Sequence, residues 1–376
     1  MRAADYSLDY ESAGYGDRCE FWIAQSEPKI SRRLREREAT PLILTGHGLS
    51  LRVDRGCLLV RDGNTHYPGR ERQWRFFNGS PDIPPAFVVI DGSGEFTVDA
   101  IDWLATQGVS LIRLRWDGQF SSLVTAGGQA ASPNKVRWQQ GTRDNPTARL
   151  QFGITLIREK ARSTMLTMEQ YLPRSAVWDR AYNSIANRVR WLDHRPPRLF
   201  GNLLGMEAAI AGDYFRVWPE IPLKWKALKR HPIPNDWTGF VSRGSHDQAS
   251  RNRNATHPVN AMLNYAYGVL IAQTQVRLIS EGYDPSIGIM HDRKADRGSY
   301  PAFALDQMEP MRPVVDRAVL HLINAVTFTG ADFSIQHDGV CRLNPELARR
   351  VAQLAMGRCV DGCKHHAAFN DRNARE

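Results

Sequence analysis

Four ionisable side chains in the C-terminal half of the chain have the types and the setting of a metal site. Glu207 stands in the apolar run from Leu203 to Ala211, where an unpaired buried charge is costly unless a cation or a donor meets it. His291 ends a second apolar segment, and Asp306 and Glu309 follow it. Together they offer one imidazole and several carboxylates to a cation.

Asp306 and Glu309 are three residues apart, which places both carboxylates on one face of a helix. We expect that helix to begin near Phe303, with Leu305 and Met308 turned toward the core. Two neighbouring negative charges also favour a bound cation. Because the ligands are oxygen and imidazole without cysteine, they suit Mg²⁺ or Mn²⁺ rather than a closed structural zinc site.

Each of these residues also has an ordinary structural interpretation. An Asp-x-x-Glu pair on a helix is usually a solvated face, and a single histidine before a charged loop usually lies at the surface. A second small cluster near the C-terminus leaves a zinc site open, although its spacing differs from common zinc fingers: Cys359, Cys363, His365 and His366. The cysteines are odd in number and scattered, which favours reduced thiols over a disulfide framework.

Short apolar runs separated by turn signals fill residues 41–120 and predict strands, with one helix at 99–107. From Pro146 onward apolar residues recur at helical spacing, and Asn145 before this proline is a typical helix start. The sequence therefore predicts an α+β fold, with a small N-terminal β-rich domain followed by a larger all-helical catalytic domain.

The same pattern gives the domain boundaries. Residues 1–40 are a polar extension, in which residues 31–38 are either a short solvated helix or a flexible arm. The remaining segments are the β-rich domain at 41–128, a linker at 129–145, the helical domain at 146–358 and a C-terminal tail at 359–376.

The chain of 376 residues has a formal net charge of +9, which is consistent with a nucleic-acid partner. Two basic segments supply candidate phosphate contacts, for which a solvated charged loop is the alternative: Lys224, Lys226, Lys229, Arg230, Arg293, Lys294 and Arg297. No apolar run approaches the ~18 residues that cross a bilayer, and the N-terminus lacks a signal-peptide core. We expect a cytoplasmic protein without membrane contact.

Four blocks carry a resemblance to a known family: residues 203–215, 257–267, 282–291 and 304–316. The second block is similar to the pattern Pro-x-Asn-x-x-Leu-x-Tyr-x-Tyr, and the fourth to Leu-Asp-Leu-Met-Glu-x-Phe-Arg-Pro, with Met311 in place of Phe. In these blocks the chain resembles the CRISPR-associated protein 1 family, the integrases that insert new spacers into CRISPR arrays. The resemblance extends over roughly residues 40 to 355.

The resemblance implies a metal-dependent DNA endonuclease and integrase, which joins the 3′-hydroxyl ends of captured DNA to the CRISPR repeat by transesterification. It implies that Glu207, His291 and Glu309 bind Mg²⁺ or Mn²⁺, with Asp306 in support. The implied partners are double-stranded DNA, a second copy of the chain and a dimer of CRISPR-associated protein 2. Two alternatives stay open: an integrase of a mobile element, and a catalytically inactive DNA-binding scaffold.

Overall fold

A six-stranded mixed sheet forms the N-terminal part of the fold. The computed structural model describes residues 14–26, 41–65, 72–115, 118, 120–125, 131–243, 255–291, 301–337 and 339–357. The strands of this sheet are β1 (Leu42–Asp54), β2 (Cys57–Arg61), β3 (Gln73–Phe76), β4 (Ala86–Phe96), β5 (Ser110–Leu114) and β6 (Phe120–Val124). They lie in the order β3-β2-β1-β4-β5-β6, in which β4 is parallel to both neighbours and the other pairs are antiparallel.

Helices dominate the remainder of the described chain. They are α1 (Tyr15–Ser26), α2 (Val98–Thr106), α3 (Pro133–Asp144), α4 (Pro146–Tyr171), α5 (Ala176–His194), α6 (Phe200–Val217), α7 (Pro258–Ser280), α8 (Ala302–Met308), α9 (Arg312–Ala325) and α10 at residues 345–357. α4 packs against α5, α6 and α9, and the mostly buried α7 packs against α8 and α9. Asn145 caps α4 by accepting hydrogen bonds from the next turn, as its place before Pro146 predicts.

The central strand β4 is buried on both faces, which explains its continuous apolar first half. On one face Phe87 and Val89 join the core that contains the residues of α2. On the other face Val88 and Ile90 join the main core of the helical part. The sheet therefore serves as one wall of the helical core.

Two glycines allow the sheet and α7 to approach closely. Gly118, between β5 and β6, has a φ of +79°, and a Cβ there would lie 2.6 Å from the backbone nitrogen of Tyr265. A Cβ on Gly268 would lie 1.7 Å from the Gly118 carbonyl oxygen. The segment at Gly118 thus contacts the backbone of α7 directly, at a distance that only glycine permits at both positions.

α1, which lies in the predicted polar extension at residues 1–40, packs against the C-terminal part. Asp332 accepts hydrogen bonds from Arg18 Nε at 2.8 Å and from Trp22 Nε1 at 2.9 Å, and all three side chains are buried. Asp332 lies 314 residues after Arg18 in sequence, so local patterns cannot show this pairing. The predicted helix or arm at residues 31–38 lies outside the described residues.

The structure confirms the α+β class, with two corrections. α3 lies inside the segment predicted as a linker, because Ser132 and Pro133 start a helix at its N-terminal positions instead of breaking one. The helical part also contains an antiparallel hairpin of β7 (Phe333–Ile335) and β8 (Cys341–Leu343), whose strands are too short to show an alternating pattern. Within the described ranges, no helix is long and apolar enough to cross a membrane.

Candidate metal centre

Several elements of the helical part bring the predicted site residues together. Glu207 lies on α6, and Asp306 lies on α8. Glu309 begins the 3-10 turn that follows α8, and His291 lies in the segment after α7. α4, packed between α6 and α9, supplies Lys160 to the same place.

The predicted orientation of α8 is wrong in part. The helix begins at Ala302, close to the expected Phe303, and Met308 is buried as expected. However, Asp306 has no exposed surface, whereas Leu305 is only partly buried. A buried carboxylate is tolerated here because hydrogen-bond donors surround it.

Asp306 fixes the backbone of residues 289–291. Its Oδ2 accepts hydrogen bonds from the backbone nitrogens of Ile289 at 2.6 Å and Met290 at 2.9 Å. Its Oδ1 accepts from the backbone nitrogen of His291 at 2.9 Å and lies 2.7 Å from Nδ1 of the same residue. Both oxygens of Asp306 are therefore occupied in orienting His291.

His291 presents its other ring nitrogen away from Asp306, and about a third of its side chain is exposed. Burial disfavours the charged ring, but the hydrogen bond to Asp306 and the charges of Asp306 and Glu309 outweigh it and raise the pKa of His291 above its usual value. An imidazole whose Nδ1 binds a carboxylate has Nε2 oriented for a metal ion.

A lysine ammonium lies between the two predicted glutamate ligands. Lys160 Nζ lies 2.6 Å from Glu207 Oε1 and 2.6 Å from Glu309 Oε2. Since both oxygens contact one nitrogen, they are separated by at most twice that distance. Two carboxylates from different elements thus converge on one position of positive charge.

Arg312 completes the surroundings of Glu309, whose side chain is 3% exposed. The guanidinium of Arg312 lies 3.1 Å from Glu309 Oε1. Burial alone would raise the pKa of Glu309, but the charges of Arg312 and Lys160 lower it below its usual value. Glu309 is therefore held as a carboxylate, the form that a metal ligand requires.

In the described part of the chain, no three His, Cys, Asp or Glu side chains are grouped closely enough to hold a metal ion. The donor types nonetheless fit Mg²⁺ or Mn²⁺, because two carboxylate oxygens already meet at a cation, and the charge of Glu309 acts on the partly exposed imidazole of His291. The Lys160 ammonium lies between the two glutamates, at the place where their carboxylate oxygens meet.

A second buried polar network lies next to this centre. Asp316 is fully buried and accepts hydrogen bonds from Tyr214 at 3.0 Å and Tyr267 at 2.7 Å. Burial raises the pKa of Asp316 to about 6, although the two hydroxyls oppose the shift. The guanidinium of Arg312 lies 5.3 Å from the centre of the Tyr267 ring, so the network adjoins the group that binds Glu309.

The sequence profile of the family described as CRISPR associated protein Cas1 matches residues 42–355. The chain belongs to this family. The CRISPR-associated endonuclease Cas1 1 of Thermus thermophilus is 28% identical over 330 residues, which cover 87% of this chain and 89% of the relative. The CRISPR-associated endonuclease Cas1 2 of Rhodospirillum rubrum is 38% identical over 151 residues, which cover 40% of this chain and 38% of the relative.

Solved structures share the fold of this Cas1-family protein. A casposase bound to its integration product has a TM-score of 0.65 and 24% identity, over 85% of this chain and 82% of that one. A Cas1 protein of Thermotoga maritima has a TM-score of 0.62 and 13% identity, over 88% and 95%. A chain of a Cas6-RT-Cas1–Cas2 complex has a TM-score of 0.61 and 19% identity, over 92% of this chain and 36% of that one.

The basic residues predicted to contact phosphate have different positions. Lys224 and Lys226 flank Trp225, and their backbones exchange hydrogen bonds with Phe328 near the C-terminal hairpin. Burial and the nearby Arg18 lower the pKa of Lys226 to about 8. Lys229 and Arg230 follow in the same segment, while Arg293, Lys294 and Arg297 lie outside the described residues, as do Cys359, Cys363, His365 and His366.

Sequence reasoning gave no role to Lys160, Arg312 or Asp316. Lys160 carries a recognisable signal, because it stands three residues after Ile157 and four before Thr164, both buried on α4. A lysine on the buried face of a helix indicates that its charge is paired with a carboxylate. Its partners on α6 and after α8 follow only from the tertiary structure.

Proposed function

We propose that this Cas1-family protein is a divalent-metal-dependent DNA endonuclease and integrase of CRISPR spacer acquisition. It would join the 3′-hydroxyl ends of captured DNA fragments to the CRISPR repeat by transesterification. The observation that carries this proposal is the convergence of Glu207 and Glu309 on one cation, beside a histidine oriented by Asp306.

Glu207, Glu309 and Nε2 of His291 are the groups that would hold Mg²⁺ or Mn²⁺. When bound, the ion would polarise the phosphate and orient the attacking hydroxyl. Asp306 would keep the proton of His291 on Nδ1, so that the lone pair of Nε2 points outward. Arg312 would keep Glu309 ionised and in place through its contact with Oε1.

DNA and a Cas2 protein are the partners that we propose. The formal charge of +9 favours a polyanion. One structural neighbour is a casposase bound to an integration product, and another belongs to a Cas6-RT-Cas1–Cas2 complex. A homodimer is proposed from the family resemblance.

Integration in the service of a mobile element is the second candidate function. The casposase has a TM-score of 0.65 to this chain, above that of the Thermotoga Cas1 protein. The chemistry would be the same, and only the target DNA would differ. A test must therefore compare a CRISPR repeat with an unrelated target of equal length.

Strand transfer tests the proposal. Purified protein would be mixed with a short duplex bearing 3′-hydroxyl ends and a labelled target, with Mn²⁺ or EDTA and with or without the Cas2 partner. We expect joined product that requires Mn²⁺ and is lost in Glu207→Gln and Glu309→Gln. Glu220→Gln is the matched control, since Glu220 is exposed and lies beyond the end of α6.

The outcomes separate the candidates. Preference for the repeat supports CRISPR integration, and equal joining to both targets supports the mobile-element function. DNA binding with neither joining nor cleavage, in the presence of Mn²⁺ and the partner, would contradict both and favour an inactive scaffold.

A further inference from the structure

Lys160 lies between the two glutamates that would hold the proposed metal ion. Its side chain is 13% exposed and reaches from α4 to two carboxylates on other elements. Glu207 is 21% exposed and Glu309 3% exposed, so all three charged groups are largely shielded from solvent. Both contacts are charge-assisted hydrogen bonds of 2.6 Å.

The oxygens of Glu309 are divided between two cations. Arg312 contacts Oε1, and Lys160 contacts Oε2, which is the oxygen on the side of Glu207. A metal ion placed between Glu207 and Glu309 would compete with Lys160 for Glu309 Oε2, since Arg312 already contacts the other oxygen of Glu309. A divalent ion and an ammonium at the same carboxylates would also repel each other strongly at such short range.

The two contacts of Lys160 are therefore mutually exclusive with a shared metal ion. Lysine is suited to such a replacement because its charge is carried on a flexible four-carbon stem. Arg312 is less suited to leave, since its guanidinium also lies against the ring of Tyr267. Glu309 keeps this arginine as a partner when the lysine departs.

We propose that Lys160 is an internal counterion that holds Glu207 and Glu309 together in the metal-free protein and is displaced when a divalent ion binds. This inference rests on the metal site of the proposed function. Lys160 is thus a positioning residue: it keeps the two ligands converged without metal, at the cost of competing with the metal for them.

The competition sets the expected effect of Lys160→Gln. Removing the ammonium should raise the affinity for Mn²⁺ at least about tenfold, because even one charge-assisted hydrogen bond is worth about that factor. Lys160→Arg keeps a cation and should bind Mn²⁺ no more tightly than the wild type. Lys135→Gln is the matched control, since Lys135 Nζ binds the Glu281 carbonyl oxygen.

Binding is measured from the electron paramagnetic resonance signal of free Mn²⁺, which does not depend on DNA joining. Tighter binding by Lys160→Gln, with Lys160→Arg and Lys135→Gln unchanged or weaker, supports the inference. Equal or weaker binding by Lys160→Gln, with Mn²⁺ binding lost in Glu207→Gln, would overturn it and leave the metal site standing. If the wild type and all variants fail to bind Mn²⁺, the proposed function fails as well.

A measurement on the wild-type protein covers the case in which Lys160→Gln does not fold. The Nζ resonance of Lys160, assigned by its loss in Lys160→Arg, is followed by ¹⁵N NMR during titration with Mg²⁺. We expect it to move toward the position of solvent-exposed lysines as the ion binds. A resonance that keeps its position at saturating Mg²⁺ would overturn the inference.

Discussion

Replacing Asp306 with asparagine keeps the shape of the side chain but removes its charge and one acceptor. The wild-type carboxylate accepts three backbone hydrogen bonds from residues 289–291 and a fourth from the His291 ring. An asparagine has one acceptor oxygen, so its amide group must face one or two of these buried donors. No rotation of the amide satisfies all of them.

The magnitude follows from the number of donors left without an acceptor. Each unsatisfied buried donor costs about 1–3 kcal/mol, so Asp306→Asn should lower the free energy of unfolding by about 2–5 kcal/mol. The variant should also lower the pKa of His291, because the hydrogen bond and the charge that raise it are removed while the burial that lowers it remains.

Urea denaturation at neutral pH measures the first effect, and NMR titration of the histidine ring measures the second. Asp144→Asn is the control, because the side chain of Asp144 is 67% exposed. A loss of less than about 0.5 kcal/mol, or an unchanged pKa of His291, would refute the role that we give to the buried carboxylate.

Two further predictions concern the buried carboxylates of Asp316 and Asp332. The pKa of Asp316 is raised from 3.8 to about 6, so its ionisation destabilises the folded wild type progressively between about pH 4 and 6. Asparagine does not ionise and can still bond Tyr214 and Tyr267. Over that interval the free energy of unfolding should therefore fall by about 3 kcal/mol less in Asp316→Asn than in the wild type. Asp332→Asn leaves the buried Arg18 guanidinium without its charge partner and should lower the free energy of unfolding by about 3–5 kcal/mol. Urea titrations at several pH values measure both.

Asp82→Asn is the control for both variants, since Asp82 is exposed. A difference in stability between wild type and Asp316→Asn that stays constant with pH would contradict the first prediction. For Asp332→Asn, stability within about 1 kcal/mol of the wild type would show that the contact of α1 contributes little.

The sequence was sufficient for the fold class and the family, because both depend on local signals. The apolar runs of β4 and the capped start of α4 at Asn145 are visible as residue patterns, and the Cas1 blocks are continuous segments. The hairpin of β7 and β8 was missed because each strand has three residues. α3 was missed because a serine followed by proline can either break a helix or begin one.

For the candidate site, the sequence supplied residues but not their contacts. Glu207, His291, Asp306 and Glu309 were identified from their types and from the family blocks. Their connection through Lys160 was not, because the lysine is 47 residues from Glu207 and 149 from Glu309. Pairings of this kind depend on how α4, α6 and α8 pack, and a sequence pattern reports only which face of each helix is buried.

Anomalous X-ray diffraction from crystals soaked in Mn²⁺ tests the central claim most directly. We predict one strong anomalous peak within coordination distance of Glu207, Glu309 and Nε2 of His291, with the Lys160 ammonium withdrawn from both glutamates. Saturating Mn²⁺ with no peak at these three residues, and with Lys160 still between the glutamates, would contradict the account.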